Sequence, residues 1–120
     1  MRITGSDDFR VLHADPDGRV IAEPGDANDV IGEAWGEEDI RLIALPVARL
    51  DPEFFRLRSL LAGEVLQKFV NYRLQLAIVG DISVYLEASE ALRDFVWESN
   101  RGNHVWFVSD EAELEARLGG

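Results

Sequence analysis

Two different rhythms of apolar and polar residues meet in residues 60–83, LLAGEVLQKFVNYRLQLAIVGDIS. In the first half, five apolar residues recur at the spacing of one helix face: Ala62, Val65, Leu66, Phe69 and Val70. In the second half, Leu74–Val79 is apolar on both faces apart from Gln75, which is typical of a central parallel strand covered by helices. The stretch therefore predicts a helix that leads into a buried strand, as in an α/β layer.

Shorter patterns predict four more strands. Two of them, Phe9–Ala14 and Arg19–Glu23, flank the segment Asp15-Pro16-Asp17-Gly18. Its Pro and Gly stand where a tight turn favours them, so the three segments together predict an N-terminal hairpin. Apolar runs predict the remaining two strands at Arg41–Pro46 and His104–Val108.

Capping residues mark where the predicted helices begin. Asp26 precedes a first amphipathic helix. The pair Asp51-Pro52 is the strongest start signal, because a capping carboxylate is followed by Pro at the first position of a long helix. After a loop at Gly80–Ala88, Ser89 caps a third helix, and Asp110 opens the last one.

The predicted element order is β-β-α-β-α-β-α-β-α. With right-handed crossovers, this order gives an α/β fold with a five-stranded mixed sheet, an N-terminal hairpin followed by parallel strands, and helices packed on it. The 120 residues are expected to form one domain, with residues 1–8 flexible. The chain has no Cys, no apolar leader and no apolar run of membrane-spanning length, so we expect a cytoplasmic protein without membrane contact.

Charge excludes one class of partner. The net charge is −11, and residues 1–53 hold 13 acids against 5 bases, which argues against a nucleic-acid surface. Between residues 54 and 73 the balance reverses, with four basic residues against one acid: Arg56, Arg58, Lys68 and Arg73 against Glu64. This patch could accept a small anion or an acidic partner, or it could be a solvated helix face.

Catalytic patterns are sparse. The two histidines are His13 and His104, and a nucleophile–His–acid set would need Ser83 or Ser99 beside one of them. Ordinary, partly buried histidines are the simpler interpretation. Neither a metal-ligand spacing nor a glycine-rich phosphate loop is present in the sequence, so we expect no catalytic residues, no metal and no cofactor.

One small-ligand site is still suggested by the predicted topology. In open α/β sheets, ligands bind beyond the carboxyl ends of the strands. In the predicted sheet, those ends carry Asp81, Ser83 and Ser109, and together they form one rim of the sheet. This rim is a candidate site for an anion or a nucleotide, and the protein would then be a sensor or an enzyme. The alternative is that Asp81 only closes its own turn.

A second candidate surface lies on the outside of two predicted helices. A polar stripe runs opposite the apolar face of the second helix, Leu60 falls near its polar side, and Trp97 points outward from the third helix. An exposed Trp often anchors an interface, although it can also cover a sheet edge. The candidate partner-binding residues are Leu60, Glu64, Gln67, Lys68, Asn71, Arg93 and Trp97; the alternative interpretation is a plain solvated surface.

Four segments carry a resemblance to a known family: AGEVLQKFVNYR (62–73), AIVGDIS (77–83), LRDFVWESNRG (92–102) and HVWFV (104–108). They resemble the bacterial domain-of-unknown-function 4180 family, and the likeness extends from Phe9 to Leu118. The resemblance implies no activity, because none is established for that family.

The element order also resembles the STAS domains, the anti-sigma-factor-antagonist fold. In phosphorylated STAS members, a Ser or Thr at the start of the helix after the third strand acts as a switch. Here Arg49–Phe54 contains no hydroxyl side chain, and Ser59 lies two turns further on. The resemblance therefore implies partner binding without the kinase-controlled switch.

These observations lead to two hypotheses of function. The first is a non-catalytic, STAS-like regulatory domain that docks its second and third helices against a second copy, as a homodimer, or against a regulatory protein. The second is a small-ligand sensor or enzyme that uses the rim near Asp81 and Ser83. A flat rim would favour the first hypothesis, and a deep cleft with converging polar groups would favour the second.

Overall fold

A five-stranded mixed sheet forms the centre of the molecule in the computed structural model, which describes residues 2–119. The strands lie across the sheet in chain order: β1 (Arg2–Ser6), β2 (Phe9–His13), β3 (Ile40–Pro46), β4 (Gln75–Val79) and β5 (Val105–Val108). β1 is antiparallel to β2, and β2 to β5 are parallel. The predicted buried parallel strand at Leu74–Val79 is thus confirmed as β4, which lies between β3 and β5.

Five α-helices are described within the same residues: α1 (Ala27–Trp35), α2 (Leu61–Asn71), α3 (Ser83–Ala88), α4 (Glu90–Arg101) and α5 (Glu111–Gly119). Four short 3-10 helices occupy Pro24–Asp26, Val47–Arg49, Pro52–Phe55 and Leu57–Ser59. The α/β class with a five-stranded mixed sheet, predicted from the sequence, is confirmed.

The two faces of the sheet are covered unequally. Because side chains alternate along a strand, Ile43 and Leu76 point to one face while Leu42 and Ala77 point to the other. The first face packs under α1, α2 and α4 in the larger core. The second face packs under α5 through Leu114 in a smaller core. We call α1, α2 and α4 the helical layer.

The N-terminal hairpin is formed by different strands from those predicted. β1 (Arg2–Ser6) pairs with β2, although residues 1–8 were expected to be flexible. The predicted strand at Arg19–Glu23 makes only one isolated bridge, between Ile21 and Leu50. The turn before it does form, since the amide of Gly18 donates to the carbonyl of Asp15 at 3.2 Å. β1 already occupies the free side of β2, so the segment after this turn cannot pair there.

The long helix predicted from Asp51-Pro52 is also wrong in its first part. Asp51 does accept a hydrogen bond from the amide of Glu53, but the cap opens a 3-10 helix, and α2 begins only at Leu61. Ser59 Oγ lies 2.8 Å from the backbone carbonyl oxygens of both Glu53 and Arg56, which share its single proton. These local bonds replace helical ones, and the chain then turns sharply at Leu60, whose φ is 65°.

Two further predictions need correction. The loop expected at Gly80–Ala88 contains α3, so the observed order has one more helix than predicted. Val70, expected to point inward, is 40% exposed, whereas Phe69 is 1% exposed and belongs to the larger core. The cap at Ser89 is confirmed, because its hydroxyl accepts from the amide of Leu92 at 3.1 Å.

Candidate functional site

The outer side of α2 carries the polar stripe. Glu64, Gln67 and Asn71 are exposed, and Lys68 is half-buried. The Gln67 amide donates to Asn71 Oδ1 at 2.8 Å, and Lys68 Nζ lies 3.4 Å from Asn28 Oδ1 in α1. Lys68 is thus partly engaged between two helices of the layer, while the other three side chains face solvent.

Two large apolar side chains stand out from the same layer. Leu60, directly before α2, is 66% exposed, and Trp97 in α4 is 61% exposed. The Arg101 guanidinium lies 4.6 Å from the centre of the Trp97 ring, which is a cation–π contact on the surface. Arg93 is exposed but donates to the carbonyl of Leu86 at 2.6 Å, which ties α4 to α3.

A groove of about 650 Å³ lies between the 3-10 helices before α2 and the junction of α3 with α4. Arg58 and Ser59 line it from the first element, and Ser89 from the second. Its lining includes the rings of Phe55 and Tyr85, which stack with centroids 4.3 Å apart. The seven candidate partner-binding residues lie on the helical layer or directly before α2, and they neither line this groove nor form a single pocket.

The rim at the carboxyl ends of the strands brings the three alternative ligand residues together. Asp81, Ser83 and Ser109 line one cavity of about 250 Å³. Asp81 Oδ1 accepts from the amide of Ser83 at 2.9 Å, and hydrogen bonds from Ser83 hold the pKa of this carboxyl below its usual value. The amide of Ser109 donates to Glu113 at 3.3 Å. These contacts are the turn and cap bonds expected without any ligand.

Comparison with known proteins gives one match. The family model for a domain of unknown function, DUF4180, covers residues 6–118. The chain belongs to this family. No curated protein and no solved structure matches it. Membership in DUF4180 accordingly supplies no activity for this chain.

A polar cluster that the sequence did not suggest lies on the second face of this DUF4180 fold. His13 Nε2 is 2.8 Å from Thr4 Oγ1, and His13 Nδ1 is 3.3 Å from the Arg2 guanidinium, which also pairs with Glu111 at 2.9 Å. His13 Nδ1 also lies 3.5 Å from Glu111 Oε1, so this nitrogen faces both a donor and an acceptor. Together these contacts connect the hairpin to α5. The pairing of Arg2 with His13 depends on β1, which is why the spacing gave no signal.

The side-chain clusters and helices of residues 2–119 bear on metal binding and on membrane insertion. No three His, Asp or Glu side chains in that range converge as a metal site. None of the helices there has both the length and the apolar character required to cross a membrane.

Proposed function

We propose that this DUF4180 domain is a non-catalytic, STAS-like protein-interaction domain of regulatory type. It docks through the outer surface of α2 and α4, which we call the docking face: Leu60, Glu64, Gln67, Lys68, Asn71, Arg93 and Trp97. The observation that carries the proposal is the exposure of Leu60 and Trp97, at 66% and 61%, on the same layer of helices.

The energetics of these two side chains support docking. Burying a leucine is worth about 1.5–3 kcal/mol, and an aromatic ring buries a larger area. Trp is among the residues that most often dominate binding energy in interfaces. Two exposed polar side chains of the docking face, Gln67 and Asn71, hydrogen-bond to each other at 2.8 Å, as polar side chains do in the solvated rim of an interface.

The backbone of Leu60 gives a second line of support. A leucine at φ 65° costs about 1–2 kcal/mol relative to an ordinary conformation. Here the strain holds an apolar side chain out in water, where it contributes little to the core. A costly conformation that presents such a side chain is the kind of outlier that accompanies functional surfaces.

The partner is a second copy of the chain or a regulatory protein. Two measurements test this: sedimentation velocity over a range of concentrations, and capture of proteins on the immobilised domain. Replacing Leu60→Asn and Trp97→Ala together should weaken self-association or partner capture by about tenfold or more, because both apolar anchors are lost. Asn tolerates the left-handed backbone at residue 60, so the fold should be retained.

Trp35→Ala is the matched control. Trp35 is 66% exposed at the end of α1, so this variant removes an equally exposed ring outside the docking face. It should leave association unchanged. A double variant that associates and captures proteins like the wild type would contradict the proposal.

The small-ligand alternative, a sensor or enzyme for an anion or nucleotide, is supported by the meeting of Asp81, Ser83 and Ser109 around one cavity. That cavity, about 250 Å³, lies below the roughly 300–1,000 Å³ of ordinary ligand pockets, and an ionised Asp81 would repel a phosphate. We therefore rank it second. The small-ligand alternative requires that nucleotides raise the melting temperature of the wild type and leave that of Asp81→Ala unchanged. Equal melting temperatures of the wild type with and without nucleotide would exclude this alternative.

A further inference from the structure

A separate pocket of about 370 Å³ lies at the opposite edge of the sheet, at the amino ends of the parallel strands. Arg41 comes from the start of β3, Arg73 from the turn before β4, and His104 from the residue before β5. Phe9 and Val70 add apolar surface. No carboxylate side chain lines this pocket, although the whole chain carries a net charge of −11.

The two arginines of this pocket also lack the partners that most other arginines have. Eight of the eleven arginines make an ion pair or a hydrogen bond through the side chain. Among residues 2–119, the three that make neither are Arg41, Arg58 and Arg73. Two of these three, Arg41 and Arg73, face this pocket, and on their other side they line a neighbouring cleft together with Glu37 and Asp39.

The backbone of Arg73 is a further unusual feature. The amides of Arg73 and Leu74 donate to the carbonyls of Val70 and Phe69, each at 2.9 Å, in the pattern that ends helices with a Schellman motif. Arg73 has a φ of 59°. In Schellman motifs the residue at this position is usually Gly, because its backbone is left-handed. An arginine in this place is strained, and its side chain makes no hydrogen bond or ion pair with any described residue.

We propose that this pocket binds a small organic molecule that carries an oxyanion, either a phosphate or a carboxylate, on a ring-sized apolar body. The Arg41 and Arg73 guanidiniums supply the paired donors that oxyanions prefer. Phe9, Val70 and Leu74 contact the apolar body. The volume lies within the range of small-molecule sites.

Nuclear magnetic resonance titration of the whole protein tests this inference. The probes are phenyl phosphate, benzoate and inorganic phosphate, added at constant ionic strength. Saturable shifts are expected at the amides of residues 73–75 and 103–104. Phenyl phosphate or benzoate should bind at least about fivefold more tightly than inorganic phosphate, because only they bury a ring. The tighter of the two identifies the oxyanion.

Three variants make the titration decisive. Arg41→Gln and Arg73→Gly should each weaken binding by about tenfold, since each removes a charged donor. Arg73→Gly also removes the backbone strain, so it should melt at a higher temperature, and lost binding cannot be ascribed to unfolding. The matched control, Arg58→Gln, removes the third unpartnered arginine from a different surface and should bind like the wild type.

Three results would overturn the inference. Shifts that rise linearly without saturation would show only general counter-ion attraction. Equal weakening by Arg58→Gln and Arg73→Gly would show the same. Inorganic phosphate that binds as tightly as both ring-bearing probes would contradict the role given to Phe9, Val70 and Leu74.

Discussion

Arg49 is a buried charge that pairs with no carboxylate among residues 2–119. Its side chain is 3% exposed and donates to the backbone carbonyls of Arg19 and Asp15, at 2.6 and 2.8 Å. A Cβ on Gly18 would lie 2.5 Å from the centre of this guanidinium, so any larger residue there would displace the Arg49 head group from its carbonyl partners. One arginine after β3 therefore holds the segment that enters α1. This explains why that segment is ordered without forming the strand predicted at Arg19–Glu23.

His13 makes stability depend on pH. Burial, followed by the nearby Arg2 charge, lowers the pKa of His13 below its usual value of 6.5. The unfolded chain therefore takes up a proton at a higher pH than the folded protein does. The contribution of neutral His13 to the free energy of unfolding should be fully present above about pH 6.5. It should decline as the pH falls from there toward the pKa of His13 in the folded protein. Urea unfolding midpoints measured between pH 7.5 and 5.5 would show this decline.

Substitution separates His13 from other titrating groups. His13→Gln keeps a polar partner for Thr4 and should flatten the decline over this range. His104→Gln still contains His13 and should retain the decline. Identical pH profiles for His13→Gln and the wild type would assign the dependence to another group.

At the scale of an element, α2 is held by the face it buries. Leu61, Ala62, Val65 and Phe69 are buried against the sheet, and Phe69 is among the largest fully buried side chains. Phe69→Ala should lower the free energy of unfolding by about 3–5 kcal/mol, because a cavity remains where the ring was. Urea denaturation measures this.

Val70 provides the comparison for Phe69 within the same helix. Val70→Ala should cost less than about 1 kcal/mol, since this side chain is 40% exposed. Similar losses in the two variants would mean that the buried face of α2 is assigned incorrectly.

The errors in the predicted positions of strands and helices share one physical cause. Arg2–Ser6 has few apolar residues and becomes a strand only because β2 offers it hydrogen bonds. Asp51-Pro52 is a correct local start signal, but Pro52–Ser59 follows 3-10 geometry that buries both Phe54 and Phe55. Local pattern therefore identified α2 and β4, whose apolar residues are periodic or continuous, and failed where distant contacts decide the conformation.

At the scale of the whole molecule, the parallel strands lie in chain order, so α1, α2 and α4 all cover one face of the sheet. The second face is left to α5 alone. This one-sided arrangement places α2 and α4 in a single outer layer, with the strand rim at one edge and the Arg41–Arg73 pocket at the other. The fold therefore has three separate candidate surfaces: the docking face, the strand rim and the Arg41–Arg73 pocket. The sequence indicated the first two.

The sequence by itself determined the α/β class, the central strand, the amphipathic helices and the exposure of Trp97, because periodicity along one element depends only on neighbours in the chain. Only the tertiary structure decided the partner of β2, the burial of Arg49 and the meeting of Arg41 with Arg73. Those features depend on which strands lie side by side, and no local pattern of residues encodes that.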